Sequence, residues 1–527
     1  MKRLLINTAL LILLAGTFSS CKKKLEDDYL NPELTTTGSL SKLFSGMFMN
    51  KRIHPSYWDY YTFVMPTTAA FSQSTALSPS AQMYTPNTSY TQGRWTDFYN
   101  GTVDANQDFN YSGPGILNSY REMQTSLGSL SAAQQQEQMV FLKCAQVLVY
   151  DQTAQMIDLW GDIPFSQANS LNTDRTVKPA PFDDAAALYD TLISGLKDLN
   201  TYFDTVNVVS SVNSELTKAD LMYAGNLAYW QRYANSLRLR LLMRISNVSE
   251  SKAQTEVTTM LGNATTYPLI DDNTQNALFK MSPTAVKSDL RDVFITFGNA
   301  PEYMLDLMVT NNDPRTEVYW DANDTTGFRG VPYNVTGIEF EAGGYATYDS
   351  ATFYYNYALP AVIFTASEVS FLKAEAAERW GVGTAQTAYE TAITQSVAFW
   401  YGINQSRVLR DGTPTQWPVL ATPSAATVTA FLQESAIAYA GTTTEKLAKI
   451  YTQKWLHFSV VQAGQAWAEL RRTDYPVLQF ATSTNGNAAN PPVRLLYPAT
   501  ETVYNSANYS AVSAKDTRDT KIFWDVK

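Results

Sequence analysis

Few residues in this 527-residue sequence have the type and spacing that chemistry demands. Its two histidines, His54 and His457, stand about four hundred residues apart, so neither an HExxH metal site nor a histidine-rich cluster is possible. His457, inside the helical stretch "QKWLHFSVV", reads as structural. No GxSxG elbow, GxxxxGK loop or CxxC pair occurs, and cofactor chemistry is not expected. Paired carboxylates can hydrolyse glycosides without histidine. Glu375 and Glu378 in "KAEAAERW" are such a pair by spacing, but the interleaved alanines and the nearby Lys373 and Arg379 predict a solvated helix face. "DANDTTG", Asp321 to Gly327, carries three close oxygen ligands in the manner of a calcium loop. It lacks the glycine placement and distal bidentate acid of an EF-hand, and a plain turn is the expectation.

The chain's two cysteines have different surroundings. Lys2 and Arg3 form a positive start, Leu4 to Ala15 an apolar run, and Gly16, Ser19 and Ser20 a small-residue approach to Cys21. That is a signal peptide over residues 1–20, and its apolar run is shorter than the roughly 20 residues a spanning helix needs. A cysteine at the cut predicts a bacterial lipoprotein, in which the thiol and the freed amine are both acylated. Each buried CH₂ contributes about 0.8 kcal/mol, so two or three chains anchor the protein durably. Residues 21–37 then form the lipidated N-terminus and tether. Its Lys22 to Lys24, Glu26, Asp27 and Asp28 serve as a solvated linker or, resembling signals of Bacteroidetes-type lipoproteins, as an address for surface export. Cys144, in "MVFLKCAQVLVY", has no partner left and reads as a buried thiol, so no disulfide is expected.

The formal net charge is −10, with 39 basic and 49 acidic residues and no Lys/Arg cluster. That argues against nucleic acid or an anionic membrane face as partner. With 45% hydrophobic residues the chain can bury a large core. The unusual feature is 32 Tyr, 24 Phe and 11 Trp, many within Asn, Ser, Thr and Gly-rich stretches. Such stretches suit polar ligands with apolar faces and also occur on extracellular proteins generally.

The elements that must position these residues are helical. Apolar stripes predict helices over 132–160, 182–203, 226–246, 251–263, 366–380, 384–401, 424–440 and 443–473, four degenerate helix pairs. Ala385, Tyr389 and Ala392 repeat the small-aromatic-small pattern by which a second tetratricopeptide helix packs on its neighbour. The fold class is therefore mainly α: a tetratricopeptide-like superhelical scaffold. The long polar, aromatic stretches 50–100, 264–362, 402–423 and 476–527 are expected to gather into an irregular second lobe, with short strands around 335–363.

"LWGDIPFSQA" (159–168), "PFDD" (181–184), "DLMYAGNLAYWQRYANSLRLRLLMRIS" (220–246), "NDPR" (312–315), "ASEVSFLKAEAAERWG" (366–381), "QKWLHFSVVQAGQAWAELRRTDYP" (453–476) and "VRLLYPATETVYNSANY" (493–509) follow one another in an order and spacing that resembles the SusD/RagB family of outer-membrane lipoproteins, in its SusD-like subgroup. One departure is Ser367, where the family usually has tyrosine before the glutamate. The resemblance implies a SusD-like domain over 38–527, displayed on the outer face of the outer membrane. It also implies a hinged lid on a SusC-like TonB-dependent transporter, capturing an oligosaccharide or a peptide for import. Trp160, Trp230, Trp380, Trp455 and Trp467 lie within helices or at their ends, where core packing is the simpler reading.

In the family, loops on the transporter-facing side hold the ligand, and the segment between "NDPR" and the helix at 365 supplies part of them. Here that segment contains Tyr319, Trp320, Tyr345 and Tyr348 beside Arg315, Asp321 and Asn323. A ring can lie against the C–H face of a pyranose or a peptide side chain while amides and charges bond its polar edge. Trp320 is the first candidate, and the aromatic stretch around Trp58, Tyr60 and Trp95 is the alternative. Two other functions compete with the nutrient-binding lid. A surface glycoside hydrolase lacks a convincing carboxylate pair, and a tetratricopeptide scaffold for outer-membrane assembly has no need of aromatic loops.

Overall fold

The computed structural model describes residues 39–54, 56–102, 113–281, 287–410, 417, 419–484, 486 and 488–527. The signal peptide, Cys21 and the tether lie outside them. The eight scaffold helices, in chain order, are α1 (Ala132–Trp160), α2 (Ala185–Thr205), α3 (Leu227–Arg244), α4 (Glu250–Gly262), α5 (Ala366–Trp380), α6 (Ala385–Gln405), α7 (Thr443–Phe458) and α8 (Ala463–Thr473). Local sequence sets their ends. Ser131 and Gln134 close a reciprocal capping box on α1, and Gly161 stops that helix at φ +80°. Asp184 caps α2 by accepting from Ala187 N, and Thr442 with Glu445 forms a second capping box on α7.

The helices pack as a tetratricopeptide-like array: α2 lies along α3, and α5 lies along both α6 and α7. The main core gathers Trp160, Tyr189, Trp230, Tyr233 and Trp467 with the aliphatic stripes around them. Each such side chain contributes roughly 1.5–3 kcal/mol by leaving water. Cys144 is buried there, its thiol pushed well up by desolvation. Trp455 is buried in a second core, while Trp380 is half-buried and donates to Glu250 at 3.2 Å. Among the described residues no helix is long and apolar enough to cross a membrane.

Two helices differ from their sequence pattern. The helix expected over 424–440 ends at Gln433. The one expected over 443–473 is two helices, because Ser459 takes φ +45° and breaks the ladder between α7 and α8. The break lets both halves face the interior: Trp455, Leu456 and Phe458 pack into the second core, and Trp467 into the first.

That second core is formed mainly by residues 290–362 with Tyr60, Met65 and the C-terminal half of α6. Its own strand pair, Trp320–Asp321 with Thr347–Tyr348, is short, and a second pair, Ala277–Phe279 with Ala361–Phe364, buries Ala277, Phe279 and Phe364 in the first core; both are antiparallel. Not every loop segment joins it. Trp95, Phe98, Tyr497 and Trp524 pack into the first core, against α1 and its neighbours.

Glu375 requires a correction: it is not on a solvated helix face but fully buried. Because α5 is covered by α6, α7 and α3, its carboxylate faces inward. It takes two bonds of 2.7 Å from Arg472 and one of 3.1 Å from Tyr451. Lys454 and Glu469 complete the cluster at 2.5 Å from each other. Burial pushes the Glu375 carboxyl up, but the charges and hydrogen bonds of Arg472, with Lys454 beside it, together hold it down at about 2. Glu378, the other half of the pair, accepts from Tyr439 at 2.5 Å. Glu375, held ionised in this way, is not poised to donate a proton. His457 is also buried, between Thr365 Oγ1 at 2.7 Å and Ser396 Oγ at 2.9 Å.

Candidate functional site

Where the two cores meet, the surface opens into a cleft of about 420 Å³, within the range of small-molecule sites. One wall is the helix Glu302–Thr310, entered from Pro301. Its stripe of Met304, Leu305 and Met308 is buried in the second core, which turns Glu302, Tyr303, Asp306, Leu307 and Thr310 to the cleft. The facing wall is the loop that follows the π-helical stretch Tyr60–Ala69, contributing Gln73, Thr75, Leu77, Met83 and Tyr84.

Backbone bonds tie the walls together. Ala76 N donates to Asn299 O at 3.2 Å, and Glu302 N to Val331 O at 3.0 Å. Gln73 reaches across to Gln479 O at 2.5 Å, and Tyr84 meets Phe480 edge-on at 6.0 Å, which brings the segment Val477–Phe480 in as the third side. Tyr303 remains 41% exposed and Tyr333 43%, so two ring faces are open to a ligand.

The cleft is acidic. Glu302 and Asp306 stand one helical turn apart, and among the described residues no lysine or arginine lines the walls, although Arg329 is near enough to act on Glu302. Burial, reinforced by Asp306, pushes the Glu302 carboxyl above its ordinary range, and burial does the same to Asp306. Carboxylates, the amides of Gln73 and Asn311 and the Thr310 hydroxyl beside open rings can bond a ligand's hydroxyl edge while the rings cover its apolar face.

Trp320, the first candidate from sequence, is only 2% exposed. It packs on Tyr348 in a tilted pair at 4.4 Å and donates to Met308 Sδ at 3.3 Å, inside the second core. Tyr319 donates to Leu456 O at 2.8 Å and packs on Trp400 at 4.7 Å. Tyr348 donates to Ser74 O, and Tyr345, beneath the Arg329 guanidinium, donates to Glu339 O at 3.2 Å. Arg315 is fully buried against Asp313, Ser396 and Gln453. The expectation that these faces are open to a ligand is corrected: strand pairing and the neighbouring helices cover them.

Asp321 and Asn323 are half-buried and engaged locally. Asp321 accepts from Ser350 N at 2.8 Å, and Asn323 accepts from Thr325 N and Thr326 N in the tight turn expected of "DANDTTG". Among the described residues no group of three His, Cys, Asp or Glu could hold a metal ion. Of the alternative stretch, Tyr60 and Trp95 are buried. Trp58 is half-buried and nearly coplanar with Tyr61 at 6.4 Å.

The segment before residue 365 does reach the cleft, but through Val331, Pro332 and Tyr333. Sequence reasoning missed the helix Glu302–Thr310. Its signal was a second apolar pair, Tyr303 and Leu307, on the side opposite the core stripe, where a simple surface helix would be polar.

The sequence model of a SusD-like family, described as starch-binding and associating with the outer membrane, matches residues 60–498. Among solved structures, a Bacteroidetes SusD-like protein superposes over 93% of this chain and 100% of its own, with TM-score 0.71 at 20% identity. A chitin-binding protein matches over 92% and 100%, with TM-score 0.71 at 21% identity. A SusD homologue from Bacteroides thetaiotaomicron matches over 93% and 100%, with TM-score 0.66 at 20% identity. At these identities the likeness is one of fold. No curated protein matches the sequence.

Proposed function

We propose, from the premise that the chain belongs to the SusD-like family of starch-binding proteins associating with the outer membrane, that it captures an oligosaccharide in the cleft along Glu302–Thr310. The family is one of binding proteins rather than enzymes. The carrying observation is the pairing of open rings, Tyr303 and Tyr333, with a hydroxyl-bonding edge from Glu302, Asp306 and Asn311. Each well-used ring contributes roughly 1–3 kcal/mol, and two rings with a few hydrogen bonds give affinity of about micromolar to millimolar. Such binding suits a protein that passes its cargo on. The carboxylates, with no cation lining the walls, favour neutral glycans over sulfated or uronic ones and leave room for a peptide as the alternative ligand.

Delivery is part of the same proposal. Cys21 carries the lipid that holds the protein on the outer face of the outer membrane, and the folded domain caps a SusC-like TonB-dependent transporter as a hinged lid. The family resemblance and the signal sequence ending at Cys21 support this reading. The test is a panel of neutral, acidic and sulfated glycans and of peptides, titrated into purified protein with product analysis in parallel. Saturable binding of a neutral glycan without turnover is the expected result. Turnover of the bound glycan, or binding that survives blocking of the cleft by Tyr303→Arg, overturns the proposal.

A further inference from the structure

The segment 477–480, which closes the third side of the cleft, has a second side of its own. There lies another groove, of about 350 Å³, floored by Phe71 and Trp467, which meet edge-on at 5.3 Å, and walled by Leu478 and Pro491. Residues of the segment divide between the two hollows. Gln479 lines the cleft and not the groove, Leu478 lines the groove and not the cleft, and Val477 and Phe480 border both. Cleft and groove are therefore neighbours across one thickness of chain.

That ridge of chain is open. Val477 is 67% exposed, and Gln479 is exposed beside it. The backbone N–H groups of residues 477 to 480 make no hydrogen bond among the described residues, and of their carbonyls only that of Gln479 is taken, by Gln73. Backbone that is neither paired in a strand nor wound in a helix keeps its donors and acceptors for water or for hydroxyls laid over it.

The groove also matches the cleft in chemistry. Asp474 and Asn490 stand exposed on it, while Pro476, Leu478 and Pro491 supply apolar surface. Arg471, the cation in its lining, is buried and donates to the backbone carbonyls of Trp467, Asp158 and Val493. Apolar walls with a few amide and carboxylate groups suit a sugar chain, which repeats a C–H face and a hydroxyl edge at every unit. Each hollow alone lies near the lower end of the size range of small-molecule sites, and the two together reach well inside it.

We infer that the cleft and this groove are two halves of one binding site, and that its ligand is an extended oligosaccharide lying over the ridge at 477–480, not a mono- or disaccharide held in the cleft. This rests on the reading of the cleft as a glycan site. The occupant of the groove is the continuation of the same chain, because the two hollows share Val477 and Phe480 as a common border. Chain length then sets affinity alongside sugar identity, since two part-sites joined by one ligand hold it far more tightly than either does alone.

The test is calorimetric titration with maltose, maltotetraose and maltoheptaose, with cello- and chito-oligosaccharides of matching lengths alongside, on the native protein and on Asn490→Arg. Asn490 lines the groove and not the cleft, and it is exposed, so the substitution disturbs no core. In whichever series binds, affinity should rise about thirtyfold or more from the shortest to the longest member, and Asn490→Arg should bring the longest most of the way back. A long chain also gains from having several registers in one short site. That smaller gain survives the substitution, so the variant tells the two apart. Amide hydrogen exchange reads the contact directly: the longest member should slow exchange at the groove-lining Leu478 and Asn490, and the disaccharide should not. Affinity that is flat with length, or exchange at Leu478 and Asn490 that the longest member leaves unchanged, overturns the inference while the glycan reading of the cleft stands. Should the gain persist in Asn490→Arg, the exchange at these two residues decides. If no series binds, the glycan reading falls and this inference falls with it.

Discussion

Tyr303 and Trp320 are both large rings with an acidic neighbour in sequence, Glu302 and Asp321, yet one is open and the other sealed. On the proposed reading Tyr303 is a ligand contact whose only ring packing among the described residues is on Trp455 at 6.1 Å, so Tyr303→Ala should weaken binding of the identified glycan at least tenfold, about 1.4 kcal/mol, with a much smaller fall in Tm than Trp320→Ala. Trp320→Ala instead empties a site packed by Tyr348 and Met308, and should cost about 3–5 kcal/mol in urea unfolding. Calorimetric titration beside unfolding curves separates the two. Loss of affinity in Trp320→Ala at temperatures where that variant is still folded would return the ligand to Trp320. His457 supplies a pH test. Burial, with Arg315 nearby, pushes its imidazole down from an ordinary 6.5 to about 3. The unfolded chain thus binds the proton first, and stability should fall as pH drops from about 6.5 toward 3, by up to about 1.4 kcal/mol per pH unit. His457→Gln, keeping the bond to Thr365, should flatten that part of the stability profile.

At the scale of elements, the scaffold depends on charged side chains that tie helices together. Glu375 on α5, Lys454 on α7, and Glu469 and Arg472 on α8 form one buried cluster across three helices. Breaking it on one side leaves uncompensated charge, so Glu375→Gln should cost about 3–5 kcal/mol. A double-mutant cycle with Arg472→Met should recover part of that loss, and simple additivity would show that the two do not act as a pair. The acid sign also follows. With the Glu375 carboxyl held at about 2 against an ordinary 4.5, its contribution is full above about 4.5 and is lost as pH falls toward 2. Residue pattern predicted this helix, but not its cap at Thr365 or its burial. An alanine-rich helix with interspersed charges reads as exposed unless the partners that neutralise it, a hundred residues away, are known.

For the whole molecule, function depends on where the domain is held and what it covers. Cys21→Ser should leave the protein unprocessed or released, whereas Cys144→Ser, which alters only a buried thiol, should leave localisation unchanged. Membrane fractionation with surface protease accessibility checks this, and normal surface anchoring of the Cys21 variant would end the lipoprotein reading. Mild detergent extraction should recover the protein with a large barrel partner. An obligate lid buries more than about 2,000 Å², enough to survive chromatography, and a lone monomer in several detergents would count against it.

The sequence by itself determined the helical class, most scaffold helices, the absence of catalytic and metal motifs and, through seven ordered blocks, the family. These are local or collinear signals: a stripe, a capping residue or a motif is written within a few turns of chain. The tertiary structure alone decided which aromatic residues are open at the surface and which are sealed in a core. Trp320 and Tyr303 differ in what covers them: Tyr348 and Met308 close over the first, whereas the second meets Trp455 at 6.1 Å and stays 41% exposed on the cleft. Exposure is a property of long-range packing, and no window of sequence contains the residues that set it.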